Sequence, residues 1–381
     1  MFSLLFYTVN NLLLLFWAAI FCFRKPDKIK NIVFLMIAFS QLFLIMAFRN
    51  KIGYDFNMYA VGFRNMASVG FSNINYKDWE YGFTILTKII GLIPGIDYDM
   101  YMVILSVIAI VPTAIFIYKN SKMPWVSTIL YVNMFMYFMS MNFLRQMIAI
   151  SILFLAWECM KKKRFILFAL LIIAASFFHQ TILIMLPVYF LVKMKPGIKE
   201  LIMYGFILLW FYSASTNAIE LVTSFYHEEY SESIFVKEGV SLIYAILPII
   251  IVACAFILTK TKTIDLTSEN KYLINLSLIG AIMMLTMSKH SIIERFSYYF
   301  IPFMILLVPL IYKSLKRRGI KYKFESGTVI DLTSKKSKMV ISLCFLAGIL
   351  LLSYLHFYFG LLENAHGVEK YQSWVKWFYS G

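Results

Sequence analysis

Long apolar runs alternate with short polar segments along most of the chain. About twelve of these runs are roughly 14–22 residues long, and about 20 apolar residues can cross the hydrocarbon core of a bilayer as a helix. The pattern therefore predicts an all-α, polytopic integral membrane protein with about twelve transmembrane helices. The predicted spans are 2–23, 31–48, 97–118, 124–141, 143–160, 165–178, 181–192, 201–217, 241–259, 272–288, 296–312 and 339–360.

The composition agrees with this prediction. Hydrophobic residues make up 61% of the chain and charged residues 15%, whereas soluble domains have about 45–50% and about 25%. A water-soluble protein could not cover so much apolar surface. The spans leave too little chain for a separate soluble catalytic domain, so residues 1–381 are predicted to form a single transmembrane domain.

The net charge of +16 is distributed unevenly along the chain. Positively charged loops stay on the cytoplasmic side of a membrane, so this distribution places both termini and the large loop 49–96 outside. It also favours the lipid bilayer, and not nucleic acid, as the partner of the basic residues. Most Lys and Arg residues lie in alternate loops, at 24–30, 119–122, 161–164, 193–199, 260–271 and 313–338.

Two apolar regions are interrupted by polar residues. Residues 142–146 divide the region 124–160, and residues 179–181 divide the region 165–192. Each region could form two full spans or two short helices that meet below the outer surface. Short helices at this depth are tolerated where they line a protein cavity or a water-filled one, so the sequence leaves both arrangements open.

The external loop 49–96 carries two amphipathic patterns, which predict two helices at the membrane surface. Asp55 and Tyr59 are four residues apart and share a helix face. Asp55 is a candidate catalytic carboxylate, and the alternative is that it only caps a helix. Glu80 supplies a second carboxylate in the same loop.

Four cationic side chains are predicted on the same outer side of the membrane. Arginine is unfavourable there unless it has an anionic partner, although a long side chain can also reach the headgroups. Convergent guanidinium groups suit the oxygens of a phosphate. The four residues are Arg49, Arg145, His179 and Arg295.

Together these residues suggest glycosyl transfer from a lipid diphosphate. The cations would hold the diphosphate, and a carboxylate would take a proton from a sugar hydroxyl. The candidate catalytic residues are Asp55, with Glu80 and then His179 as second choices. The candidate substrate-binding residues are Arg49, Tyr59, Asn142, Arg145, Gln146, His290, Glu294, Arg295 and Tyr299.

At these positions the chain resembles the EpsG family of bacterial exopolysaccharide membrane proteins, which are similar to Wzy-type polymerases. The resemblance covers roughly residues 45–300. The matching pieces are Arg49-x3-Gly53-x-Asp55-x3-Tyr59, Glu80-x-Gly82-Phe83, Asn142-x2-Arg145-Gln146-x2-Ala149, Phe178-His179, and Glu294-Arg295 with Tyr298-Tyr299.

This resemblance implies an inverting membrane glycosyltransferase. Such an enzyme would polymerise undecaprenyl-diphosphate-linked oligosaccharides into exopolysaccharide or capsule on the external face of the bacterial cytoplasmic (inner) membrane. Other polysaccharide export proteins are implied as partners. The family is distantly similar to GT-C glycosyltransferases, whose first large external loop commonly bears an essential Asp. Asp55 is the matching position, although this chain places one extra predicted span before that loop.

No cofactor and no metal site are expected, because the arginines can stabilise the diphosphate. GT-C relatives sometimes use a divalent ion, which keeps Mg²⁺ or Mn²⁺ open. Two other functions stay open as well. A lipid-linked oligosaccharide flippase would have a similar number of spans, and a polysaccharide O-acyltransferase would use a histidine such as His179 as its base.

Overall fold

The structure, a computed structural model, is mostly helical. It describes residues 2–24, 27–71, 79–197, 199, 202–206, 241–286, 292–323, 325–368 and 371–373. The helices in these ranges are α1 Phe2–Phe21, α2 Lys28–Ala47, α3 Phe56–Ser68, α4 Tyr81–Gly91, α5 Tyr98–Asn120, α6 Pro124–Asn133, α7 Met136–Asn142, α8 Leu144–Lys161, α9 Phe165–Ser176, α10 Met185–Leu191, α11 Ile243–Lys260, α12 Ser268–Thr286, α13 Ile292–Ser297, α14 Ile301–Arg318 and α15 Lys335–Leu362.

The chain divides into two compact units, each built from separate stretches. The first unit comprises Met1–Asn120, Phe135–Leu183 and Phe357–Gly381, and the second comprises Ser121–Met134 and Ile184–His356. In the first unit, α5 packs against α2 and α8, and α3 packs against α4. In the second unit, α12 packs against α11 and α14, and α14 also packs against α6. The single transmembrane domain predicted from the sequence stays a prediction.

Five helices in the described part of the chain are long and apolar enough to cross a membrane. They confirm that the protein is a helical membrane protein, but they do not confirm the predicted count of twelve spans. The predicted span 201–217 lies largely outside the described residues. The five helices are Ser3–Phe21, Lys28–Ala47, Tyr98–Asn120, Ile243–Lys260 and Lys335–Leu362.

The two interrupted apolar regions contain short helices, and in the first of them one break lies ahead of the polar residues. The predicted span 124–141 is broken between α6 and α7, where Phe135 adopts a left-handed backbone conformation with φ of 63°. Helix α9 has 12 residues, which gives a length of about 18 Å, and the hydrocarbon core is about 30 Å thick. Neither α9 nor the broken α6–α7 pair is long enough for a single straight crossing.

The predicted amphipathic helices of the external loop are present as α3 and α4. The sequence analysis predicted no strand, but the basic loop 313–338 contains a two-stranded antiparallel hairpin. Its strands are β1 Ile320–Lys323 and β2 Val329–Leu332. A short 3-10 helix, Ala365–Gly367, follows α15.

Candidate functional site

The loop between α2 and α3 presents Asp55 at the position before the first turn of α3. Its side chain makes no capping hydrogen bond to the helix, so the capping role weighed from the sequence is not how this carboxylate is used. The Asp55 backbone N–H donates a hydrogen bond to Asn142 Oδ1 at 3.4 Å. Asp55 is half-buried.

Glu80 contacts an arginine and a histidine side chain in the first unit. Arg145 Nη1 lies 2.6 Å from Glu80 Oε2, and His179 Nδ1 lies 2.9 Å from Glu80 Oε1. The side chains of Glu80, Arg145 and His179 are 6%, 11% and 14% exposed. We call these three residues the ionic cluster. The Glu80 carboxylate therefore uses one oxygen for Arg145 and the other for His179, in a largely buried position.

The ionic cluster keeps Glu80 charged. Burial alone would raise the pKa of the Glu80 carboxyl, but the hydrogen bond with His179 and the charge of Arg145 outweigh burial and lower the pKa to about 2. A carboxylate with so low a pKa is a weak proton acceptor at neutral pH. This weakens Glu80 as a catalytic base and favours its role as the counter-charge of Arg145.

Tyr59 connects the Asp55 helix with the ionic cluster. Its side chain is 1% exposed, and its ring packs against Trp79 and Phe83 at centroid distances of 5.6 and 5.7 Å. Burial raises the pKa of Tyr59 to about 12, and the neighbouring charges of Arg145 and Asp55 act on the same phenol in opposite directions. Tyr59 of α3 therefore lies close to Arg145.

A glycine allows α4 to approach the turn that carries His179. The Gly82 N–H donates to the Phe177 carbonyl oxygen at 2.8 Å. A Cβ atom on Gly82 would lie 2.8 Å from the same oxygen, so a larger residue would push α4 away. This contact explains the sequence Glu80-x-Gly82, because Glu80 reaches His179 only while the backbone of α4 stays close.

Arg49 occupies a structural position. It is 1% exposed, and its guanidinium donates to the Met46 and Met141 carbonyl oxygens. The prediction that Arg49 supports a diphosphate does not fit this burial, since a buried guanidinium bonded to backbone carbonyls is turned away from a ligand. Gln146 is likewise 1% exposed.

A C-terminal segment, residues 364–368 and 371–373, holds the Asp55 loop in place. Tyr54 Oη donates to the Asn364 carbonyl oxygen at 2.9 Å, and the Gly53 N–H donates to the Gly367 carbonyl oxygen at 3.1 Å. Asn142 Nδ2 donates to the His366 carbonyl oxygen. The Asn142 side chain therefore links the Asp55 loop to the C-terminal segment. Its Oδ1 accepts from the Asp55 N–H, and its Nδ2 donates to His366.

The sequence analysis missed this segment and one buried lysine. Lys88 is 3% exposed, and its Nζ donates to the carbonyl oxygens of Met66, Ala67 and Val69 at the end of α3. The sequence signal that could have indicated this contact is the position of Lys88 on the buried face of α4. The C-terminal segment carries no comparable signal, because it contacts the loop through backbone atoms.

The remaining predicted residues belong to the second unit. Glu294 and Arg295 lie in α13, and Tyr298 Oη donates to Glu294 Oε1 at 2.7 Å. Tyr299 is fully buried. His290 lies outside the described residues. Among the residues that the structure describes, no group of three His, Cys, Asp or Glu side chains could hold a metal ion.

These features define a multi-pass helical membrane protein in which a buried carboxylate, Glu80, pairs with Arg145 and lies at hydrogen-bond distance from His179. The sequence model of the EpsG family matches residues 32–324, and the chain belongs to the EpsG family. The resemblance noted from the short motifs is thereby confirmed. Membership relates the protein to exopolysaccharide biosynthesis, in a family associated with polysaccharide polymerisation. No curated protein and no solved structure matches the chain.

Proposed function

We propose that this protein is an inverting glycosyltransferase that polymerises undecaprenyl-diphosphate-linked oligosaccharide units on the external face of the bacterial cytoplasmic membrane. The single observation that carries the proposal is the geometry around Arg145. Its guanidinium is held by Glu80 at 2.6 Å and lies beside Tyr59, on whose pKa both Arg145 and Asp55 act. A fixed cation and a half-exposed carboxylate, Asp55, are the two groups that this transfer requires.

In the proposed reaction, a hydroxyl of the acceptor sugar attacks the anomeric carbon of the donor sugar. Asp55 takes the hydroxyl proton as the new glycosidic bond forms. The bond between the anomeric carbon and the diphosphate oxygen breaks on the opposite face, which inverts the configuration. Arg145 stabilises the charge that develops on the departing undecaprenyl diphosphate, and this kind of stabilisation is usually the largest catalytic contribution.

The ionic cluster also changes the order of the second-choice bases. Glu80, with a pKa of about 2, is the weaker candidate. His179 is oriented by a carboxylate at 2.9 Å, an arrangement that suits a general base. His179 is therefore the second candidate after Asp55. This scheme requires no metal, although it leaves room for Mg²⁺ or Mn²⁺. The proposal that Arg295 assists the diphosphate rests on the sequence motif.

The test is polymer formation by the purified protein in detergent, with lipid-linked repeat units as substrate. Asp55→Asn keeps the side-chain shape but cannot accept the proton, so turnover should fall by about 10²–10⁴-fold while donor binding stays unchanged. Asp97→Asn is the matched control, because Asp97 Oδ1 accepts the Met100 N–H at 2.9 Å and Asn caps as well as Asp. Wild-type turnover in Asp55→Asn would reject Asp55 as the base.

One observation supports a second candidate, a polysaccharide O-acyltransferase. A histidine held by a carboxylate, as His179 is held by Glu80, could activate a sugar hydroxyl toward an acyl donor. Transfer of a labelled acyl group to the polysaccharide, together with unchanged chain length after deletion of the gene, would favour this function. Loss of long chains with retention of single repeat units would favour the polymerase.

A further inference from the structure

The hairpin β1–β2 of the second unit has two chemically different faces. The pairs across the strands are Ile320 with Leu332, Lys321 with Asp331, Tyr322 with Ile330, and Lys323 with Val329. Side chains alternate between the two faces of a strand, so two of these pairs form one face. The apolar face comprises Ile320, Tyr322, Ile330 and Leu332.

This apolar face is presented outward. Tyr322 is 40% exposed and Ile330 is 41% exposed, and an isolated two-stranded hairpin is marginally stable in water. The opposite face carries Lys321 and Lys323, with Asp331 3.4 Å from the Lys321 ammonium. The hairpin therefore combines an exposed apolar face with a charged one, as surface-bound amphipathic elements do.

The hairpin is attached to the second unit in a defined orientation. Gly319, which joins α14 to β1, has φ of 72°, and a Cβ atom there would collide with the Leu332 carbonyl oxygen. Thr263 Oγ1 donates to the Gly319 carbonyl oxygen at 2.8 Å, in a buried position. Only glycine fits this junction, so the faces of the hairpin have a fixed direction relative to α14.

The surroundings of the hairpin are strongly basic. Residues 313–338 contain many Lys and Arg residues and only two acidic ones, Glu325 and Asp331. Asp265 is already paired with Arg317 and Arg318, so the lysines of the hairpin and of the start of α15 dominate the local charge. Helix α15 is one of the candidate membrane spans and begins three residues after β2 ends.

We propose that the hairpin lies on the cytoplasmic surface of the bilayer and binds anionic phospholipid headgroups. The apolar face enters the boundary between headgroups and acyl chains, and the lysines at the start of α15 contact the phosphate groups. The cytoplasmic side follows from the predicted topology. A lysine close to an anionic surface contributes about 1 kcal/mol, which corresponds to about a fivefold change in lipid binding per lysine.

The experiment uses two adjacent positions on opposite faces of β2. Ile330 and, as the matched control, Val329 are each replaced by p-benzoylphenylalanine in the full chain, which is placed in nanodiscs of phosphatidylcholine with or without phosphatidylglycerol. Val329 is 50% exposed, so exposure alone would favour crosslinking at the control position. We expect lipid adducts several-fold more often from position 330, with phosphatidylglycerol over-represented among them.

Two further variants separate lipid binding from misfolding. Lys335→Gln and Lys336→Gln at the start of α15 leave the apolar face intact and should each reduce the enrichment of phosphatidylglycerol by up to about fivefold, at an unchanged thermal midpoint. Equal lipid adducts from both positions, or no preference for phosphatidylglycerol, would overturn the proposal. Adducts to protein from position 330 would also overturn it and would identify the occupant as a partner protein or a second copy of this chain.

Discussion

Replacing Glu80 by Gln tests whether the ionic cluster stabilises the protein. The substitution keeps the shape of the side chain but leaves the Arg145 guanidinium, 11% exposed, without its counter-charge. The fall of the Glu80 pKa from 4.5 to about 2 corresponds to about 3 kcal/mol, since each pKa unit is worth about 1.4 kcal/mol. Removing one partner of a buried ion pair costs about 3–5 kcal/mol. The free energy that corresponds to the pKa shift lies in the same range.

The assay is the free energy of unfolding of purified protein in mixed micelles. Glu158→Gln is the matched control, because Glu158 pairs with Lys161 at 2.9 Å and its side chain is 34% exposed. Such an exposed pair contributes at most about 1 kcal/mol. The double variant Glu80→Gln/Arg145→Met should recover much of the loss, because it removes the unpaired buried charge. If Glu80→Gln costs no more than Glu158→Gln, the reasoning about the ionic cluster is wrong.

The same pKa defines a pH dependence. A group whose pKa is lowered in the folded state contributes stability above its ordinary pKa and loses that stability as the pH falls through the folded value. The contribution of Glu80 should therefore be complete above about pH 4.5 and should disappear toward pH 2. The Glu80→Gln variant should lack this portion of the acid transition, and an identical acid profile for both proteins would contradict the assignment.

Three other substitutions test separate parts of the site. Arg145→Lys should lose most polymer formation at equal protein level, since a lysine cannot hold two phosphate oxygens in a fork. The same result is expected for Arg295→Lys. Near-normal polymer length in either variant would reject the phosphate role of that arginine. Lys88→Met should lower the free energy of unfolding by about 1–3 kcal/mol, because backbone carbonyls at the end of α3 lose their donor; an unchanged value would show that water replaces it. Gly82→Ala should lower turnover more than the control Gly348→Ala, whose added methyl group meets nothing within 4 Å. Equal turnover in the two variants would show that α4 can shift without loss of activity.

Hydropathy alone predicted the positions of the long helices. The predicted spans 31–48 and 97–118 correspond to Lys28–Ala47 and Tyr98–Asn120, because long apolar runs have few structural alternatives in a membrane. The break at Phe135 was not predictable. A bulky residue in the left-handed conformation is held there by its surroundings, and the sequence contains no glycine at that point.

The members of the candidate site were predicted, but their partners were not. Glu80 and Arg145 were assigned separate roles as base and phosphate ligand, whereas the structure joins them directly. They are 65 residues apart in sequence, and helix periodicity carries information only over neighbouring turns. The burial of Arg49 could not be predicted either. An arginine at the end of an apolar run can bind a ligand, a lipid headgroup or a backbone carbonyl, and the sequence does not distinguish these partners.

The attachment of the Asp55 loop to the C-terminal segment has a consequence for biosynthesis. Tyr54 and its partner Asn364 are 310 residues apart, and a ribosome adds about 5–20 residues per second, so about 15–60 s separate their synthesis. During that interval the loop lacks the hydrogen bonds that fix it in the finished protein. We therefore expect the Asp55 loop to reach its final position only after α15 and residues 364–368 have been synthesised.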